Sequence, residues 1–246
     1  MGGYFPELRE HMLSNGIVPP EHFERTGEIQ RWNTDGRKGK ENGWCVIFPD
    51  GLGAQYGDWS LSEDGYNWQA RSHSAMSSKD KEELRRQVER ARAKRDVERE
   101  LVQKKAAEKC RELWSKAGSV HVDHSYLKSK GIPAYGLHQL REQLLVPLRI
   151  DGELVNLQFI SPDGKKRFKT GGRKKSAYHA IGKPINQILV ICEGYATGAS
   201  IHQATGHAVA IAFDAGNLLP VSKSLRAKHP EFRIIFAADD DRWTDE

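Results

Sequence analysis

Glu193, Asp214 and the run Asp239, Asp240 and Asp241 are the residues whose types and placement could do chemistry. Each follows an apolar run of strand character, at residues 188–192, 208–213 and 232–238. If those strands run parallel, their C-terminal ends share one edge of a sheet, which is where open α/β sheets place their sites. Like charges gathered there are costly unless a cation neutralises them. All-oxygen donors with positions left for water and phosphate suit Mg²⁺, with Mn²⁺ able to substitute, and such a site makes or breaks phosphodiester bonds. In extended chain Asp239 and Asp241 point to one face and Asp240 to the other. Glu193, Asp239 and Asp241 are therefore the candidate catalytic and metal-binding residues. Asp240 and Asp214 are secondary, and Asp214-Ala215-Gly216-Asn217 reads well as a plain turn. Gly194 is expected to let the chain turn sharply after Glu193 and to admit a phosphate closely. The helix that starts there points free N–H groups toward the same edge.

Positioning these acids requires alternating strands and helices. Residues 198–204, closed by Gly206, and residues 218–228 read as helices between the three apolar runs. A β-α-β-α-β order implies a parallel sheet with helices on both faces. Before it, residues 119–185 begin with a helix that stops at Gly131. A β-meander of strands at 143–150, 154–160 and 165–169 follows, with turns at Asp151-Gly152 and Pro162-Asp163-Gly164. Its last strand and the loop through Lys175 form the densest positive patch in the chain. Lys165, Lys166, Arg167, Lys169, Arg173 and Lys174, with Lys128 and Lys130 in the helix that ends at Gly131, are candidates to hold nucleic-acid or nucleotide phosphates. Residues 171–176 lack the spacing of a nucleotide-binding phosphate loop, so no ATP-driven motor is expected.

Residues 77–118 are rich in Lys, Arg, Glu, Gln and Ala. They read as one long charged helix or linker that starts near Ser78 and stops at Gly118. Its apolar positions are sparse, at Leu84, Val88 and Ala91, then Val97, Leu101, Val102, Ala106, Ala107, Cys110, Leu113 and Trp114, and the later ones have helical spacing. Only the second half is expected to dock on a core, leaving the first half a solvated arm. Interleaved glutamates weigh against a basic arm for nucleic acid. Residues 1–76 read as a small aromatic-rich antiparallel β domain, with strand fragments at 23–25, 29–32, 44–48 and 55–59. Trp32, Trp44, Trp59 and Trp68 either fill its core or stack on single-stranded bases.

Bulk properties exclude several classes. The chain has 246 residues, 38% hydrophobic and 29% charged, with net charge +5 and a sequence pI near 9.0. That balance suits a phosphate-rich partner. Cys45, Cys110 and Cys192 are far apart with no C-x-x-C pair, so neither a zinc ribbon nor a redox dithiol is expected, and no zinc. His121 and His124 read as an exposed loop pair. No signal-peptide pattern opens the chain, and no apolar run approaches the ~20 residues of a membrane span. A cytoplasmic protein without membrane contact is expected.

At residues 190–197 and 237–241 these features become specific. Val190-Ile191-Cys192-Glu193-Gly194-Tyr195-Ala196-Thr197 with Ala237-Ala238-Asp239-Asp240-Asp241 resembles the Toprim domain, shared by bacterial-type primases, type IA and type II topoisomerases, and some nucleases and repair proteins. The Glu-Gly-Tyr and Ala-Ala-Asp-x-Asp forms most resemble primases of phages, plasmids and integrative mobile elements. Residues 126–131, 145–158 and 164–182 resemble the basic subdomain that precedes Toprim in those primases. The resemblance implies an α+β multidomain chain: a small N-terminal β domain, a long helix, a basic β-meander subdomain at 119–185 and a Rossmann-like Toprim domain at 186–246. It also implies a DNA primase, a nucleotidyltransferase of the DNA-directed RNA polymerase kind, that makes short RNA primers. Its partners would be a single-stranded DNA template and ribonucleoside triphosphates, with a replicative helicase as a further candidate. Two departures stand out. Nothing here builds the zinc ribbon usual in bacterial-type primases. The chain also ends five residues after Asp241, where a Toprim domain continues with another helix and strand. A shortened domain, or one completed by a partner, is the expectation. A Toprim-type metal-dependent nuclease and a non-catalytic single-stranded DNA-binding module are the alternatives. Topoisomerase activity is set aside for want of a strand-passage domain or an evident nucleophilic tyrosine.

Overall fold

The computed structural model describes residues 2–3, 5–36, 41–61, 65–70 and 78–238. They fall into two compact units, divided between Arg99 and Glu100.

In the first unit, β1 (Gly2–Gly3) pairs with β2 (Phe23–Glu24), and α1 (Pro6–Ser14) lies between them in sequence. An antiparallel sheet runs in sequence order through β3 (Gln30–Trp32), β4 (Gly43–Ile47), β5 (Gly53–Asp58) and β6 (Tyr66–Gln69). Alternation along β4 divides its side chains between two cores. Cys45 and Ile47 join Leu8 and Met12 of α1, Phe23, Tyr56 and Trp68. Val46 and Phe48 instead meet Ala91 and Val88 of α2 (Ser78–Lys116). The expected solvated arm is therefore corrected: the first half of α2 packs on this sheet. Arg95 is 9% exposed and its guanidinium lies 5.5 Å from the Trp44 ring. Lys94 also pairs with Glu28 at 2.5 Å, and Arg31 pairs with Glu98. Trp44 and Trp68 are core residues, with Trp59 stacked on Trp44 at 5.4 Å.

The second unit is layered. The latter part of α2 contributes Cys110, Leu113 and Trp114 to a core with Leu145, Leu154, Leu157 and Phe159. Those residues line one face of an antiparallel sheet ordered β10-β9-β8-β7. Its strands are β7 (His138–Leu140), β8 (Gln143–Ile150), β9 (Glu153–Ile160) and β10 (Lys166–Phe168). The opposite face, with Leu144, Val146 and Ile160, joins Tyr126 and Leu127 of α3 (Ser125–Lys130) in the largest core. Gly131 ends α3 in the left-handed region at φ 63°, a common helix stop.

That core continues into a second sheet, ordered β11-β13-β12-β14: β11 (His179–Ile181), β12 (Ile188–Cys192), β13 (Ala208–Ile211) and β14 (Arg233–Ala237). β12 is parallel to both β13 and β14, whereas β11 adds an antiparallel edge on β13. Between strands run α4 (Tyr195–Thr205) and α5 (Ala215–Lys228). Val190 and Cys192 face the core shared with Ala199 of α4; Leu189 and Ile191 face Val221 and Leu225 of α5. Covering on both faces is why β12 reads as an unbroken apolar run. Gly198 lets α4 lie close, since a Cβ there would stand 2.8 Å from Ile211 and 3.1 Å from the Cys192 sulfur. The two sheets are tied where Arg149 and Tyr178 exchange backbone bonds of 3.0 and 3.1 Å. No helix among the described residues is long and apolar enough to cross a membrane.

Candidate active site

The parallel pairings bring the C-terminal ends of β12, β13 and β14 to one edge. The β12–β13 ladder runs past the strand ends: Ala212 N–H donates to Cys192 O and Phe213 N–H to Glu193 O, both at 2.8 Å. Glu193 is half-buried directly after β12. On β14, Ala237 pairs with Cys192, so residue 238 leaves the sheet beside Glu193. Asp239, Asp240 and Asp241 lie outside the described residues.

Gly194 differs from expectation. Its φ of −100° and ψ of 149° are extended, open to any residue, so the turn after Glu193 does not require glycine. An added Cβ would meet only the Thr197 hydroxyl, at 3.5 Å, so the space in front of the residue is open. The first turn of α4 follows at once, with Gly198 N–H donating to Gly194 O at 3.0 Å.

Asp214 is a helix cap as well as a strand-end acid. Its Oδ1 accepts from Asn217 N–H at 2.9 Å, satisfying an orphan donor of α5. Its Oδ2 stands 2.6 Å from the Lys174 ammonium. The preceding residue, Phe213, is held at φ 75°, an outlier for a bulky side chain that the surroundings must impose. Its ring meets Phe168 edge-on at 5.9 Å, and Lys174 lies 5.6 Å from the same Phe168 ring. The end of the basic meander thus touches the end of β13.

The other cations are distributed around this contact. Lys165 and Lys166 are exposed, with Lys165 paired to Asp163 at 2.8 Å. Arg167 donates to Gln143 Oε1 at 2.8 Å and lies 4.9 Å from the Phe159 ring, so it is partly committed to the meander surface. Arg173 and Lys175 are exposed in the loop before Ser176. Gly171 and Gly172 are needed for packing: a Cβ on Gly171 would stand 2.8 Å from Val102 of α2, and one on Gly172 2.3 Å from Asn156. Lys128 pairs with Asp123 at 2.6 Å, and Lys128 and Lys130 are exposed on α3, whose Tyr126 lies under the 162–164 turn. These surface pairs are screened by salt and readily exchanged for phosphate.

Residues 187–243 match the family model of the Toprim domain. The C-terminal part of this chain is a Toprim domain. The chain is also similar to two proteins of Escherichia coli named DNA primase TraC. One is 31% identical over 96% of this chain and 23% of the relative; the other is 33% identical over 96% of this chain and 17% of the relative. The chain therefore spans about a fifth of the length of the curated relatives it matches. No solved structure matches it. The resemblance to a Toprim-domain primase of mobile elements is borne out, as is a mixed α+β chain with a parallel-containing sheet at its C-terminus.

Toprim domains generally bind Mg²⁺. Here the described strand ends supply Glu193 and Asp214, oxygen donors suited to that ion. Among the described residues no cluster of three or more histidine, cysteine or acidic side chains could hold a metal.

Two buried residues of the Toprim core were given no structural role in the sequence reading, although Tyr195 was part of its Glu-Gly-Tyr form. Tyr195, fully buried, donates its hydroxyl to Pro133 O at 3.0 Å. His179 donates from Nε2 to Tyr135 O at 2.9 Å, and burial lowers its pKa to about 4. His124, expected in an exposed loop, is 6% exposed and bonds Glu142 O at 3.0 Å.

Proposed function

We propose that the chain carries the nucleotidyl-transfer core of a DNA primase, extending short RNA primers on single-stranded DNA for a mobile element or phage. One observation carries this reading: the basic meander delivers Lys174 to the acidic strand-end edge of the Toprim sheet, where it pairs with Asp214 at 2.6 Å. A polyanion track ending at a carboxylate site is what templated phosphoryl chemistry needs, since template and triphosphate must both be neutralised. The TraC relatives, named DNA primases, support the class of reaction.

In this reading Glu193, Asp239 and Asp241 hold the metal. Bound Mg²⁺ supplies Lewis-acid neutralisation of the triphosphate. Glu193, half-buried at the end of β12, would either ligate a second metal or take the proton of the attacking 3′-hydroxyl as the hydroxyl oxygen bonds to the α-phosphorus and pyrophosphate leaves. Lys165, Lys166, Arg167, Lys169, Arg173 and Lys174 neutralise template and nucleotide phosphates, with Lys128 and Lys130 extending the track. Lys174 exchanges Asp214 for phosphate when a ligand arrives.

The test is synthesis on single-stranded DNA with labelled ribonucleotides and Mg²⁺ or Mn²⁺. Oligonucleotide products that require the chain, the DNA, the ribonucleotides and the metal ion are expected. Metal-dependent cleavage of the DNA without nucleotides would replace the primase reading with a nuclease. Binding without either reaction would reduce it to a DNA-binding module.

A further inference from the structure

Asn217 sits in the first turn of α5 and is 3% exposed. Its side chain makes four hydrogen bonds. Oδ1 accepts from Ser176 N–H at 2.8 Å. Nδ2 faces Lys174 O at 3.1 Å, Ala177 O at 3.0 Å and Ala212 O at 2.8 Å. Three of these partners belong to the loop at residues 174–177, and the fourth lies just past the end of β13. A carboxamide combines a donor and an acceptor on one short plane. With two N–H groups facing three carbonyls, one N–H must be shared between two of the carbonyls. Ser176, whose N–H Asn217 accepts, is left-handed at φ 64°, a conformation a serine seldom holds without support. The same loop carries Arg173, Lys174 and Lys175, and Lys174 reaches Asp214, the cap of the helix that bears Asn217.

We propose that Asn217 is a positioning residue for phosphate binding: it fixes the 174–177 loop to the end of β13 so that the loop's cations, Lys174 above all, act at the Toprim edge. The proposal rests on the reading that a phosphate-bearing ligand occupies that edge. Asn217 itself is buried and uncharged and touches no ligand; it works through Lys174.

The test is fluorescence anisotropy of a labelled oligo-dT strand with the 246-residue chain, across a salt series. Removing one phosphate contact lowers the slope of log affinity against log salt by about 0.7 for a single strand. Lys174→Ala is expected to show that drop. Asn217→Ala is expected to show it too, although it removes no charge, and the double variant is expected to match the weaker single variant. Asn217→Asp keeps the shape but turns an acceptor toward three carbonyls. It should bind as poorly as Asn217→Ala at pH 8 and recover relative to the parent toward pH 5, as its acid form regains a donor. Val221→Ala, at a fully buried apolar position on α5 whose side chain has no hydrogen-bonding group, controls for general destabilisation, with thermal melts confirming folded protein. An unchanged salt slope in Asn217→Ala, multiplicative losses in the double variant, or an equal loss in Val221→Ala overturns the proposal while leaving the primase reading intact. A parent chain that binds no strand removes the phosphate reading, and the proposal with it.

Discussion

Gly172→Ala is a single-methyl change whose consequence can be worked from distances. The added Cβ would lie 2.3 Å from Cγ, 2.5 Å from Nδ2 and 2.5 Å from Oδ1 of Asn156. Carbon pairs are comfortable at about 3.5–4.0 Å, so at least ~1 Å must be recovered by movement. Asn156 cannot swing away freely. It is 1% exposed, and its Oδ1 accepts from Leu157 N–H at 2.8 Å, a bond worth about 1 kcal/mol net. Gly172 is not among the glycines with positive φ, so the whole penalty is steric. Overpacking of this kind costs about 1–3 kcal/mol. For a unit of this size that corresponds to roughly 2–4 °C of melting temperature per kcal/mol. The assay is a thermal melt paired with oligo-dT affinity, because the displaced segment carries Arg173 and Lys174. Asn156→Ala opens the space that the methyl needs, so the double variant should be more stable than the sum of the singles by at least about 1 kcal/mol. A Gly172→Ala protein that melts within a degree of the parent, or a strictly additive double variant, refutes the packing of this loop on β9.

Two further outcomes concern buried titratable groups. His179 has its pKa lowered to about 4 by burial, from an ordinary 6.5. Between those values the unfolded chain binds more protons than the folded one, so the neutral imidazole's stabilisation is intact above pH 6.5 and is lost as pH falls toward 4. The loss amounts to on the order of 3 kcal/mol; urea midpoints should fall across that window in the parent and stay flatter in His179→Gln. Cys45, Cys110 and Cys192 are all buried and outside any disulfide, and burial pushes the Cys110 pKa up to about 11. A thiol reagent at pH 8 should label none of the three in the native chain and all three in denaturant.

The Toprim sheet was legible because β12, β13 and β14 are short apolar runs separated by helix-length segments, whose N-caps are Gly194 and Asp214. β11 was not. His179-Ala180-Ile181 is a three-residue segment with a histidine facing inward, and only pairing with β13 makes it a strand. α1 was missed because just Leu8 and Met12 are buried, although Pro6 at its first position was a usable signal. The docking of the first half of α2 was hidden because its apolar positions are sparse: Val88 and Ala91 meet the sheet, and the charged Arg95 completes the contact by laying its guanidinium over Trp44. At the site, strand order alone brought Glu193 and Asp214 to one edge. Asp214-Ala215-Gly216-Asn217 read as a turn, yet an Asp directly before a helical segment is also an N-cap, whose side chain accepts from the N–H three residues on. That reading would have pointed to Asn217, but its loop partners come from 40 to 43 residues earlier and no local pattern reveals them.

The most direct measurement of the central claim is Mg²⁺-dependent primer synthesis by Glu193→Gln beside the parent, with oligo-dT affinity and melting temperature measured on both. The substitution keeps the shape of the half-buried side chain and removes its charge and basicity. The expected result is oligonucleotide synthesis by the parent and at least a roughly 100-fold loss in Glu193→Gln, with binding and stability preserved. Undiminished synthesis by Glu193→Gln would contradict the assignment of this strand end as the catalytic centre.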